Sequence, residues 1–220
     1  MIEGVIFDLD GTLIDSEPLW HEAKIETFGK LGYNMTIDNC LETQGLPSLE
    51  SVEYYLSKFE TDKSINEVVS DLNALVLKFL EERVELKEGV TDVLNFFKEK
   101  NLPMAICSSS PFRMIQTAVE KLKIQDYFKF IYSADFERYG KPHPGIYIST
   151  AKKLKVERFK ALAFEDSFFG LLAAKSARIS SVAILEPDKI SDTKYDFADM
   201  KIESFHNFGA TEFEYLNSKI

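Results

Sequence analysis

Cysteine is scarce in this 220-residue chain, with Cys40 and Cys107 the only two. They lie too far apart for a metal knuckle and are too few for a disulfide framework, so both are expected to be reduced and structural. Long apolar runs are missing as well. None approaches the roughly 20 residues that a membrane-spanning helix needs, and no membrane partner is expected. With Gly at 10 and Pro at 7, collagen-like and low-complexity architectures are excluded. Positive charge is in deficit: 26 Lys and Arg against 36 Asp and Glu leave a formal net charge of −10. Sequence-independent binding to nucleic acid depends on basic surface displacing counterions from phosphates, so no nucleic-acid partner is expected either. Met1-Ile2-Glu3-Gly4 runs at once into Asp8 and Asp10, without the basic segment and apolar stretch of a secretory signal, and a cytoplasmic address is the expectation.

The remaining composition, 45% apolar and 28% charged, is that of a globular protein with a real core. The length suits one full domain with a modest insertion. Four short apolar runs read as buried strands: Gly4 to Phe7, Pro103 to Cys107, Ala161 to Phe164 and Ser181 to Leu185, with a weaker one at Phe130 to Tyr132. Between them lie segments of helical period, carried by Phe96 and Phe97, by Met114, Ala118 and Leu122, and by Ile146, Thr150 and Leu154. This alternation predicts an α/β fold, a doubly wound parallel sheet covered on both faces. About seventy residues after the first strand contain no convincing strand, and there Leu72, Leu75, Val76, Phe79 and Leu80 follow the spacing of an amphipathic helix. Residues 16–84 are therefore expected to form a helical insertion, with 1–15 and 85–220 making the core. The acidity is concentrated there: residues 15–86 hold 15 acids and 6 bases, against 21 and 20 in the remainder.

Ligands of open α/β sheets bind beyond the carboxyl ends of the strands, so the polar residues after each apolar run are the ones to examine. Asp8-Leu9-Asp10-Gly11-Thr12 follows the first run. Its carboxylates, two positions apart, project to one side of an extended backbone, and two close acids can divide labour between an ionised nucleophile or metal ligand and a protonated acid. An ordinary Asp-Gly turn ending a strand has the same appearance. Ser108-Ser109-Ser110-Pro111 follows the second run. Ser110 and Pro111 read as the cap and first residue of a helix, which leaves Ser108 and Ser109 at a helix N-terminus, where anions bind well. Gly140-Lys141-Pro142-His143-Pro144 forms a short loop able to hold an ammonium toward the cleft, with His143 a loop or capping residue. Glu165-Asp166-Ser167 ends the fourth strand. Its acids suit either a helix cap or a hard, oxygen-seeking cation such as Mg²⁺. Acid pair, hydroxyl, lysine and acid pair together are what is needed to hold a metal and a phosphoryl group.

Taken in order, Asp8-x-Asp10-Gly11-Thr12, Ser108, Lys141-Pro142 and Glu165-Asp166 resemble the four motifs of the haloacid dehalogenase superfamily, and the resemblance spans residues 2–185. It implies that superfamily's Rossmann-like core, with residues 16–84 as its helical cap. Asp15-Ser16-Glu17-Pro18-Leu19-Trp20 is similar to the start of the cap in sugar- and polyol-phosphate phosphatases and β-phosphoglucomutase-like members. By that resemblance Asp8 is the nucleophile that forms an aspartyl-phosphate, and Asp10 is the general acid and then base. Mg²⁺ is the implied cofactor, held by Asp8, the Asp10 carbonyl and Asp166, with Glu165 a ligand through water or an orienting acid behind them. Ser108, the Ser109 amide and Lys141 would bind the phosphoryl oxygens. Dehalogenation is disfavoured, since a departing halide needs no proton from a second aspartate. Thr12, Glu17, Trp20, His21, Gln44, Gly45 and Ser48 are the candidates for substrate contact. Glu17 equally suits a helix dipole, Trp20 the core and His21 a helix surface.

The expected activity is phosphomonoester hydrolysis of a small phosphorylated metabolite, a sugar or polyol phosphate, by a monomer or weak homo-oligomer. Two alternatives stand beside it: a β-phosphoglucomutase-like mutase, and a non-enzymatic regulator retaining the fold. Four intact motifs argue against the regulator. A mutase needs a cap cation for its second phosphate. The β-phosphoglucomutase pattern has an arginine where this chain shows Ser48, and residues 15–86 carry a net charge of −9, a poor match for a second phosphate unless a lysine of the cap folds inward.

Overall fold

The computed structural model describes residues 1–220. Six parallel strands form one sheet in the order β3-β2-β1-β4-β5-β6. They are β1 (Gly4–Phe7), β2 (Met104–Ser108), β3 (Phe130–Ser133), β4 (Ala161–Glu165), β5 (Ser180–Ile184) and β6 (Met200–Ile202). The α/β class is therefore as expected, and five strands lie within a residue or two of the apolar runs. β6 was not foreseen: three residues containing Lys201, at the sheet edge, carry no usable pattern.

β1 is fully buried because both faces of a parallel sheet are covered. Its side chains alternate: Val5 and Phe7 enter one apolar cluster and Ile6 the other. Phe7 pairs in register with Phe164 of β4 and stacks on its ring at 5.0 Å. On that face lie α5 (Val90–Glu99) and α6 (Phe112–Lys121). The opposite face is covered by α7 (Gly145–Leu154) and α8 (Phe168–Ser176), and α9 (Ala210–Asn217) ends the chain. β1 pairs with β2 on one side and β4 on the other; the chain runs outward from β1 through β2 to β3 and then crosses back to β4, so the strand order reverses at β1, where a crevice opens beyond the carboxyl ends.

Four helices occupy the stretch between β1 and α5: α1 (Glu17–Gly29), α2 (Ile37–Leu41), α3 (Ser48–Leu56) and α4 (Ile65–Arg83). α4 starts with a capping box, in which Ser64 Oγ accepts from the Glu67 amide and Glu67 returns to the Ser64 amide at 2.8 Å. Its apolar stripe of Val68, Leu72, Val76, Phe79 and Leu80 is buried. Through it α4 packs on α1 and α3, and it also meets α6 of the sheet layer. Cys40 and Cys107 are both buried and unpaired. No helix is long and apolar enough to cross a membrane.

Candidate active site

Each strand end delivers its polar residue to one crevice. Asp8 follows β1, Ser108 ends β2, Lys141 lies in the loop after β3, and Glu165 ends β4 with Asp166 next to it. Lys141 is only 2% exposed, and its ammonium donates to Asp8 Oδ1 at 2.6 Å, to the Cys107 carbonyl at 3.2 Å and to Glu165 Oε1. Tyr147 of α7 donates to the same Glu165 oxygen at 2.6 Å, and Ser167 bonds its other oxygen at 3.3 Å. Ser167 also caps α8, accepting from the Gly170 amide. A Cβ at Gly170 would collide with the Glu165 carboxylate, so glycine is needed there.

Burial drives the Asp8 carboxyl up to about 8. Lys141 opposes that shift, while Glu165 and Asp10 add to it by repulsion. Asp166 is raised well above the usual carboxylate range, first by burial and then by Asp8 and Glu165. Lys141, although burial disfavours its charge, is held above its ordinary range by Asp8 and Glu165. Asp8, Glu165 and Asp166 each present an oxygen, all within 4.8 Å of one another. Three hard carboxylate donors facing one ammonium leave an excess of negative charge, and that donor set fits a small divalent cation such as Mg²⁺. Gly11, at φ +80°, makes the group possible, because a Cβ there would strike the Asp166 carboxylate.

The Asp10 carboxylate stands apart from this group. Its Oδ1 accepts from Ser16 Oγ at 2.8 Å and Trp20 Nε1 at 3.1 Å, and its Oδ2 from Ser110 Oγ at 2.7 Å and Ser108 Oγ at 3.1 Å. Four uncharged donors thus fix one side chain, two from the start of the inserted helices and two from the end of β2. The Ser110 hydroxyl is consequently not a helix cap. α6 begins at Phe112, Pro111 stands at its cap position in an extended conformation, and no side chain caps it. Ser108 Oγ also accepts from the Ser110 amide.

The insertion closes a chamber over these residues. Glu17, Trp20, His21, Gln44, Gly45 and Ser48 all line it, together with Asp8, Asp10, Ser108, Ser109, Lys141 and Asp166. Thr12 does not. It is fully buried beneath Asp166, to which its hydroxyl donates at 3.2 Å, because the turn after β1 points it into the protein. Gln44 bonds Glu17, whose carboxyl is raised by burial. His21 is lowered by burial and by the nearby charges of Lys24 and Lys189. The Gly45 carbonyl accepts from Ser109 Oγ at 3.4 Å, which seats the loop on the core.

Sequence reasoning missed several residues of this site. Tyr147 and Ser110 reach it from distant chain positions. Lys24 and Thr43 also line the chamber. In an amphipathic pattern a lysine reads as surface, yet Lys24 is 6% exposed.

A family profile for haloacid dehalogenase-like hydrolases matches residues 5–184. Hexitol phosphatase B of Escherichia coli (strain K12) is 34% identical over 213 residues, covering 96% of each chain. A phosphorylated carbohydrates phosphatase of Thermotoga maritima is 32% identical over 181 residues, covering 82% of this chain and 84% of its own. Among solved structures, a β-phosphoglucomutase from Clostridium difficile superposes with a TM-score of 0.86 at 22% identity, covering 100% of this chain and 98% of the other, a likeness of fold alone.

Proposed function

The chain belongs to the haloacid dehalogenase-like hydrolase family, and from that premise we propose a Mg²⁺-dependent phosphatase working through an aspartyl-phosphate. It is a hydrolase of phosphate monoesters, acting on a sugar or hexitol phosphate. One observation supports the finer reading above the rest: Asp8 and Asp10 line the same chamber in opposite settings. Asp8 lies against Lys141 and the other carboxylates, where a cation is needed, whereas the Asp10 carboxylate is bonded by four neutral donors and by none of the charged groups.

Asp8, Asp166 and Glu165 are the side chains that would hold the metal, and the family resemblance would add the Asp10 carbonyl. When bound, the cation offsets the repulsion between carboxylate and phosphate and neutralises charge on the transferring group. Asp8 attacks phosphorus, forming the aspartyl-phosphate as the bond to the substrate oxygen breaks. Asp10 gives its proton to that departing oxygen. As a carboxylate it then takes a proton from the water that cleaves the acyl phosphate, and Asp8 and inorganic phosphate are restored. Lys141 and Ser108 stabilise the phosphoryl oxygens. The inserted helices act as a cap that excludes water and selects the substrate.

The test is a phosphate-release assay over sugar and hexitol phosphates with Mg²⁺ or excess chelator, and mass spectrometry of protein quenched during turnover. Chelator-sensitive release and a phosphoryl adduct on Asp8, absent from Asp8→Asn, are expected. Full activity in chelator, or release by Asp8→Asn at the native rate, would sink the mechanism. A mutase would instead convert β-glucose 1-phosphate to glucose 6-phosphate, faster than it releases phosphate, when primed with glucose 1,6-bisphosphate.

A further inference from the structure

Lys24 is the one buried cation of the insertion. Lys30, Lys58, Lys63, Lys78 and Arg83 are all exposed. Its ammonium donates to Thr43 Oγ1 at 2.9 Å and has no carboxylate partner. The bonds around Thr43 have a forced direction. Tyr55 donates its hydroxyl proton to the Asn39 carbonyl, so it must accept from Thr43 at 2.9 Å. Thr43 has then spent its proton and accepts from Ser51 at 2.8 Å as well as from Lys24. Both lone pairs of Thr43 are thereby filled, and two N–H donors of Lys24 remain without a protein acceptor. Ser48 Oγ, in the same lining and 9% exposed, has no hydrogen-bond partner at all.

A buried ammonium without a counterion costs free energy that the fold does not recover internally. It sits in the wall that the inserted helices contribute, while the transferred phosphoryl group belongs to the wall built from the strand ends. We infer that Lys24, with Ser48, reads the end of the substrate remote from its phosphoryl group, and that this end carries a carboxylate, making the substrate class a phosphorylated sugar acid. The inference rests on the phosphatase reading above. A neutral hydroxyl would accept a hydrogen bond but leave the charge uncompensated. A second phosphate would bring nearly two charges to a single ammonium in a chamber that Glu17 also lines. Burial lowers the Lys24 ammonium to about 8, with Cys40 and Glu17 opposing the shift, so the cation is present at neutral pH.

The experiment compares 6-phosphogluconate, glucitol 6-phosphate and fructose 1,6-bisphosphate by kcat/KM, in wild type, Lys24→Met and Lys24→Arg. In wild type the acid is expected to lead glucitol 6-phosphate by about tenfold or more, as a charge-assisted contact would give. Met should abolish that lead and Arg should retain part of it. A second readout needs only wild type: the ratio of acid to neutral kcat/KM should fall as pH rises from 7 to about 9.5, because Lys24 loses its proton while shared catalytic titrations cancel. The other titratable groups near Lys24 are shifted by burial in known directions. His21 is lowered from 6.5, Glu17 is raised from 4.5, Cys40 is raised from 9.0, and Tyr55 is pushed up to about 12. A preference for the neutral or bisphosphorylated compound, or a ratio indifferent to pH and to Lys24, would overturn the inference. Dissociation constants on Asp8→Asn protein separate the two readings. Selective binding of the acid without wild-type turnover would sink the phosphatase and keep the role of Lys24, whereas turnover without selectivity would do the reverse.

Discussion

Lys141 and Asp8, 133 positions apart in sequence, meet at 2.6 Å, and the same ammonium also bonds Glu165. One cation therefore lies between two carboxylates where almost no solvent reaches. Even so, Asp8 remains raised, because burial and repulsion from its acidic neighbours together outweigh a single ammonium. A site so arranged is short of positive charge, and an incoming anionic phosphoryl group deepens that deficit, which is why the donor set suits a divalent cation.

Replacing Lys141 with alanine should lower kcat/KM by about 10² to 10³, as removal of one preorganised donor does. It should also destabilise the metal-free protein by roughly 3–5 kcal/mol, since two buried carboxylates lose their partner. Lys175→Ala serves as the contrast. That lysine pairs with Asp199 at 2.7 Å, away from the chamber, and its loss should leave kcat/KM within about twofold. Initial rates and urea melts of both variants decide this; equal kinetic effects would mean that the cleft is misplaced.

Asp10→Asn should uncouple the two halves of the reaction. With p-nitrophenyl phosphate, whose leaving group departs without a proton, the variant should release about one nitrophenolate per enzyme in a burst and then stall, because no base activates water. Hexitol phosphates, which need the acid, should show no burst and a kcat lower by about 10² to 10⁴. Stopped-flow absorbance reads the first and phosphate release the second. A uniform loss on both substrates without a burst would contradict the assignment.

Tyr147→Phe removes a buried hydrogen bond to Glu165 and keeps the ring. It should cost about 1–3 kcal/mol of stability and weaken Mg²⁺ binding, leaving kcat at saturating Mg²⁺ nearly native. Titrations of activity against Mg²⁺ are the check. A fall in kcat that added metal cannot restore would place Tyr147 nearer the chemistry than its geometry allows.

Lys24 makes stability depend on pH in a direction that can be worked out. Its folded-state value is about 8 against 10.5 when unfolded. Below pH 8 both states are charged and the full burial cost is present. Between 8 and 10.5 the folded state sheds its proton while the unfolded state keeps it, so stability rises with pH; above 10.5 the cost is gone. Lys24→Met should therefore be more stable than wild type by roughly 3 kcal/mol at pH 7, with the difference shrinking toward pH 10.5. Paired denaturant melts across that range test it, and a constant difference would exclude Lys24 as its source.

What could be read beforehand divides along physical lines. β1 was legible because Val5, Ile6 and Phe7 are buried on both faces and carry their strand signal locally. The strand-end acids were legible because topology fixes where such residues go. Ser110 was misread because Ser-Pro before a helix is ordinary capping chemistry, and its true partner, Asp10, lies 100 positions away. Lys24 was invisible for a related reason. Its burial follows from α2 and α3 bringing Thr43, Ser51 and Tyr55 around it, a polar network that no periodicity encodes.

The indole bonded to Asp10 belongs to the only tryptophan in the chain. All indole emission consequently originates at the seam between the inserted helices and the strand ends, against the side chain to which proton transfer is assigned. If the inserted helices lift as the proposed cap requires, solvent reaching Trp20 should shift its fluorescence to longer wavelength, and reseating should reverse the shift. Opening and closing can thus be timed optically in the unlabelled protein, with no background from other tryptophans.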